Sequence, residues 1–162
     1  MSEKPSYLGL LNAIAVNEAR AHRYLLAWID ATDDPAVQAV LRTVAWREGE
    51  HGMSFAKRIN ELGYEVREKD DGGLAEQMAV AGSDMGDIEK MERFGLDRLD
   101  DLLRGFDTVF SDHSIDIRTG ELMGRYVAEE FDTARLLKCC YDELKARQDR
   151  AVPAGAVPAE AS

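Results

Sequence analysis

With 162 residues, 45% of them hydrophobic and 31% charged, the chain has the size and composition of one globular domain with a sizeable core. Its net charge of −11 argues against nucleic acid, which needs clustered Lys and Arg, and against an anionic membrane surface. The N-terminus has no apolar run behind a positive cluster, and no apolar stretch approaches membrane-spanning length, so a cytoplasmic protein is expected. Cys139 and Cys140 are adjacent and form neither a zinc pattern nor a disulfide framework; one is expected to pack as a small apolar group.

Four segments show a helical period, and none shows strand alternation. The first spans about 7–31, with Tyr7, Leu11, Ile14, Ala21, Leu25 and Trp28 on one seam. Asp34 is a good N-cap and Pro35 suits the first position of a second helix. That helix runs to about Leu62 through Val37, Leu41, Val44, His51, Phe55 and Ile59, and Gly63 stops it. A third is expected over 83–110, with Met85, Ile88, Gly95, Leu99, Leu102, Phe106 and Val109 as its seam. The fourth starts within 115–120 and reaches about Arg150 through Met123, Tyr126, Thr133, Leu137, Cys140 and Leu144. Short turns make two antiparallel hairpins, and the long piece over 63–82 makes one crossover between them. Residues 1–150 thus form one all-α four-helix bundle, and 151–162, rich in Ala and Pro, a flexible tail.

Each seam also carries an acid near its middle: Glu18, Glu48, Glu92 and Glu130. Burying one ionised carboxylate without a partner costs several kcal/mol or forces it to take up a proton, and four converging acids also repel one another. A bound pair of metal cations removes both penalties. The plainer alternative is that some acids point outward or pair with Arg20, Arg47, Arg93 or Arg125. His51 stands three residues after Glu48, so carboxylate and imidazole face the same way on a helix. Ala21 and Gly95, three on from Glu18 and Glu92, leave room for a site. Gly49 and Gly52 cost the second helix propensity and point to close helix approach there.

These features resemble the ferritin-like superfamily, nearest in style to the rubrerythrin-like group. The resemblance covers about 7–145 and is best in EARAHRY (18–24), ATDDP (31–35), AWREGEH (45–51), ELG (61–63) and AEEFDTARLL (128–137). It implies a ferritin-like four-helix bundle holding two irons, with Glu18, Glu48, His51, Glu92 and Glu130 as ligands and Glu48 and Glu130 bridging; manganese or zinc are alternatives. One departure is Thr133, which stands where the family has a second His and is a poor iron ligand, so the second ion would be weak or absent. His22, Glu89 and Glu129 are alternative ligands. Tyr126 lies one turn before Glu130, with packing or hydrogen bonding to a ligand as its roles.

The resemblance implies ferroxidase or peroxidase chemistry with oxygen or peroxide. Without paired Cys-x-x-Cys motifs, any reductant must come from another protein. Metal binding or storage without fast turnover is the second expectation, and a metal-free interaction module the third. Dimerisation through an exposed apolar stripe is expected of such paired helices.

Overall fold

The structure, a computed structural model, describes residues 4–69, 72–98 and 111–151. Every regular element among them is helical: α1 (Leu8–Ala31), α2 (Pro35–Glu61), α3 (Gly73–Ala81), α4 (Asp87–Arg93), a 3-10 turn (Leu96–Arg98) and α5 (Ile117–Ala151). No helix among the described residues is long and apolar enough to cross a membrane.

The expected start of α2 is as the residue types dictate. Asp34 accepts from the Ala36 and Val37 amides, and Pro35 opens the helix. α1 and α2 pack as an antiparallel hairpin, and α5 lies against both. Tyr7 meets Asp116 and Asp34 meets Arg147, so α1 and α5 run parallel; Arg58 meets Asp116 and Arg47 meets Asp132, so α2 opposes them. The crossover climbs beside α1, pairing Arg67 with Asn12, Glu68 with Arg20 and Asp87 with Trp28 and Thr32. It contains α3, an element that the sequence reading did not resolve from the connection.

The third helix differs most from expectation. In place of one helix over 83–110, α4 ends at Arg93. Gly95, expected on a seam, instead adopts φ +69 and donates its amide to the Glu92 carbonyl. This left-handed position is where glycine ends a helix at least cost. Phe94 then stacks flat on Tyr24, its ring centroid 4.5 Å away. The expected seam positions Leu99, Leu102, Phe106 and Val109 lie outside the described residues, as does the expected tail beyond Ala151.

The core is split. One apolar cluster joins Leu25, Trp28, Leu41, Val44, Met91 and Leu137; the other joins Leu11, Ile14, Phe55, Ile59, Met123 and Tyr126. Between them, by position along α1, α2 and α5, lies a layer of buried polar side chains: Glu18, Glu48, His51 and Thr133. Apolar packing on both sides fixes the three helices and therefore the depth of that layer.

Close approach of α1 and α2 depends on Gly52. A Cβ there would lie 3.1 Å from the Ala19 amide nitrogen and 3.4 Å from the Ala15 carbonyl oxygen. These are backbone atoms and cannot swing aside. Alanine would regain about 1 kcal/mol of helix propensity against that crowding. Gly52→Val, adding more volume, is expected to lower stability by about 2–3 kcal/mol, read as a lower thermal midpoint.

At the N-terminal end of α1, Asp116 ties three helices together. It accepts from the Arg118 and Thr119 amides, the Thr119 and Tyr7 hydroxyls and the Arg58 guanidinium. Burial works against its charge, but hydrogen bonds from Thr119, Tyr7 and Arg58 hold its carboxyl well below the usual range. A depressed carboxylate stabilises the fold above the unfolded value near 4, and that contribution is lost as pH falls through the folded value. Asp116→Ala is expected to cost about 1–2 kcal/mol at pH 7, with the gap to wild type closing in acid melts.

Candidate metal centre

Three helices deliver four ligand-type side chains to the polar layer: Glu18 from α1, Glu48 and His51 from α2, and Glu130 from α5. One ligand atom from each lies within 4.8 Å of all the others. Glu18, Glu48 and His51 are each at most 6% exposed. The i, i+3 spacing of Glu48 and His51 places both on the face that α2 turns inward.

The imidazole has a defined orientation. Its Nε2 donates to Glu129 Oε2 at 2.7 Å, and Glu129 Oε1 accepts from Arg125 Nε at 2.9 Å. The other nitrogen, Nδ1, faces Glu130 Oε1 at 3.3 Å and Glu18 Oε2 at 3.6 Å. All three of these atoms are buried and without a hydrogen-bond partner. Tyr126 donates its hydroxyl to Glu18 Oε1 at 2.9 Å, which leaves Oε2 turned toward His51. The Tyr126 ring stands edge-on to the imidazole, with centroids 5.0 Å apart.

The electrostatics show what this crowding costs without a cation. Burial, then Glu18 and Glu130, push the Glu48 carboxyl up to about 11. Burial also raises Glu18, but the polar groups facing it, His51 first, then Glu48 and the Tyr126 hydroxyl, outweigh it and leave its carboxyl low. Glu130 is raised, chiefly by burial, with His51 and Arg47 opposing. Burial lowers His51, but Glu130, Glu18 and Glu129 outweigh it and lift the imidazole to about 10. The cation-free layer therefore keeps one proton on Glu48 and an extra one on His51. Both atoms that hold these protons are ones a divalent cation would use.

Of the residues expected as ligands, Glu18, Glu48, His51 and Glu130 are brought together; Glu92 is not. Glu92 is exposed on α4 and accepts from the Tyr141 hydroxyl at 2.7 Å. The reason is register: α4 buries Lys90 and Met91, with the Lys90 ammonium donating to the Ala81 and Ser83 carbonyls, so Glu92 faces out. Glu89 is exposed on the same helix. His22 is also elsewhere, its Nδ1 donating to the Ala45 carbonyl at 2.6 Å. Glu129 meets His51 from the side away from the carboxylates and orients it. Thr133 is buried in the layer, but its hydroxyl accepts from Arg47 at 2.8 Å.

Sequence reasoning did not separate the orienting role of Glu129 from ligation, and weighed Arg47 only as a pairing partner for a seam acid. The signal for Glu129 was its position beside a seam residue on a helix where Arg125 stands one turn earlier. A cavity of about 270 Å³ adjoins the cluster, reached by Glu18, Glu48 and Glu130 on one side and by Tyr24, Gln77 and Phe94 on the other. The chain matches no family model, no curated protein and no solved structure.

Proposed function

We propose that this chain is a ferritin-like four-helix metalloprotein that binds iron through Glu18, Glu48, His51 and Glu130 and uses it to oxidise Fe(II) or to reduce peroxide or oxygen. The observation that carries the proposal is the convergence of Glu18 Oε2, His51 Nδ1 and Glu130 Oε1, three buried ligand atoms without hydrogen bonds of their own. Carboxylate oxygen and imidazole nitrogen together suit Fe(II), Mn(II) or Zn(II). Helix directions support the bundle: Asp87 meets Thr32 while Phe94 meets Tyr24, so α4 descends antiparallel to α1, as the third helix of two crossover-linked hairpins should.

Iron held by these residues would supply one-electron redox chemistry. The chain's own residues set the terms for it. Glu129 fixes the imidazole so that Nδ1 faces the carboxylates, and Tyr126 fixes Glu18. The cavity beside the carboxylates admits a molecule the size of oxygen or peroxide, while Tyr24, Leu25 and Phe94 keep that side largely apolar. Electrons for repeated turnover come from a separate donor.

Binding or storage without fast turnover is the second reading, favoured by Thr133, whose hydroxyl is engaged by Arg47. Metal analysis after anaerobic iron loading tests the shared premise, with manganese and zinc loaded in parallel. Stoichiometric metal is expected. Its absence under all three would sink both readings and leave a metal-free helical module. Oxygen and peroxide consumption by the iron-loaded protein then separates catalysis from binding.

A further inference from the structure

We infer that the cluster takes a single divalent ion per chain, and that Arg47, anchored on Thr133, supplies the positive charge that a second ion would otherwise bring. This rests on the metal-site reading above and fixes its stoichiometry, where the sequence alone left the second ion weak or absent.

Donor supply comes first. Two ions bridged at about 3.5–4 Å share carboxylates but each still needs its own terminal ligands. Among the described residues, the layer offers one imidazole nitrogen and three carboxylates. The neighbouring donors are already engaged. Glu129 has one oxygen on His51 and the other on Arg125. Asp132 has one oxygen on Arg47 and the other on Arg135. Thr133 accepts from Arg47, and the Tyr126 hydroxyl is spent on Glu18.

Charge leads to the same count. With neutral His51, the three carboxylates balance one divalent ion and one guanidinium, because Asp132 has Arg135 as a counter-ion of its own. A second divalent ion would leave the buried layer with two uncompensated positive charges, and Arg47 would repel it. Arg47 is fixed there: it donates to the Glu129 carbonyl at 3.2 Å, to Thr133 Oγ1 at 2.8 Å and to Asp132 at 2.9 Å. Its side chain is 20% exposed, so its charge is only partly screened by solvent.

The test is anaerobic equilibrium dialysis of the full chain against Mn(II), with metal counted per chain and the bound manganese examined by electron paramagnetic resonance. One ion per chain is expected, with the spectrum of an isolated ion, and Arg47→Lys is expected to retain that count. Arg47→Gln/Thr133→His, folded as judged by its helical circular dichroism, is expected to take two. Two saturable ions in the wild type, both lost in Glu48→Gln, would overturn the single-ion inference and leave the metal site intact. A folded double variant that still holds one ion would overturn the role given to Arg47. No ion in any variant would overturn the metal-site reading itself.

Discussion

Glu48→Gln is expected to cut metal affinity by about a hundredfold or more while changing the stability of the metal-free fold by less than about 1 kcal/mol. The two halves of this expectation have one cause. Glu48 keeps its proton across the physiological range, because burial and the charges of Glu18 and Glu130 push its carboxyl up to about 11. Glutamine has the shape of that protonated acid and likewise offers one donor group and one acceptor. The cation-free layer should therefore accept it. What glutamine cannot do is lose a proton and present a negative oxygen to a cation. Isothermal titration with Mn(II) reads the first effect, and thermal melts in chelator read the second. A strong loss of stability in chelator would show that Glu48 is an ionised structural residue, contrary to the electrostatics of the layer. Unchanged Mn(II) binding would remove Glu48 from the ligand set.

Most of this layer was legible in the sequence because its signal is a contradiction of pattern. Glu18, Glu48 and Glu130 occupy places that the period of three and four assigns to apolar side chains, and the structure buries the apolar neighbours as that period requires: Leu11, Ile14 and Leu25 on α1, Leu41, Val44 and Phe55 on α2, Tyr126 and Leu137 on α5. Long amphipathic helices make this reading robust, since a shift of one residue would rotate the whole apolar stripe about 100° away from the core. Glu92 failed for the complementary reason. α4 is short, and its register is set by tertiary contacts, including a buried Lys90 that caps carbonyls at the end of α3 and lies over the Trp28 ring. A buried lysine breaks the hydrophobic pattern as an acid does, and period counting does not tell which of the two polar residues will find partners inside. Gly95 shows a second limit. A small residue on a seam and a glycine that ends a helix look alike in sequence, and the difference is a sign of φ. The orienting contact between Glu129 and His51 depends on how α2 and α5 are placed against each other, which no local pattern encodes.

His51→Ala should share the loss of metal binding with Glu48→Gln but differ in the metal-free protein, where a large loss of stability is expected, about 3–5 kcal/mol near neutral pH, or roughly 10 °C in thermal midpoint for a chain of this size. The imidazolium is in contact with Glu18, Glu130 and Glu129. Removing it leaves carboxylates facing one another across a buried layer, and a cavity besides. The pH dependence follows from the same charges. In wild type, His51 is raised from 6.5 to about 10, so its stabilisation is complete below about 6.5 and is lost as pH rises toward 10. Glu48, an acid raised to about 11, has the same sign: unfolding lets it ionise, so it costs stability increasingly above about 4.5. Metal-free wild type should therefore weaken steadily between pH 6 and 10. A bound divalent ion favours the deprotonated forms of both groups and should remove that slope. Melts of wild type across this pH range, in chelator and in excess Mn(II), give the two slopes directly. Parallel curves would mean that the ion binds without displacing these protons, and so at some place other than His51 and Glu48.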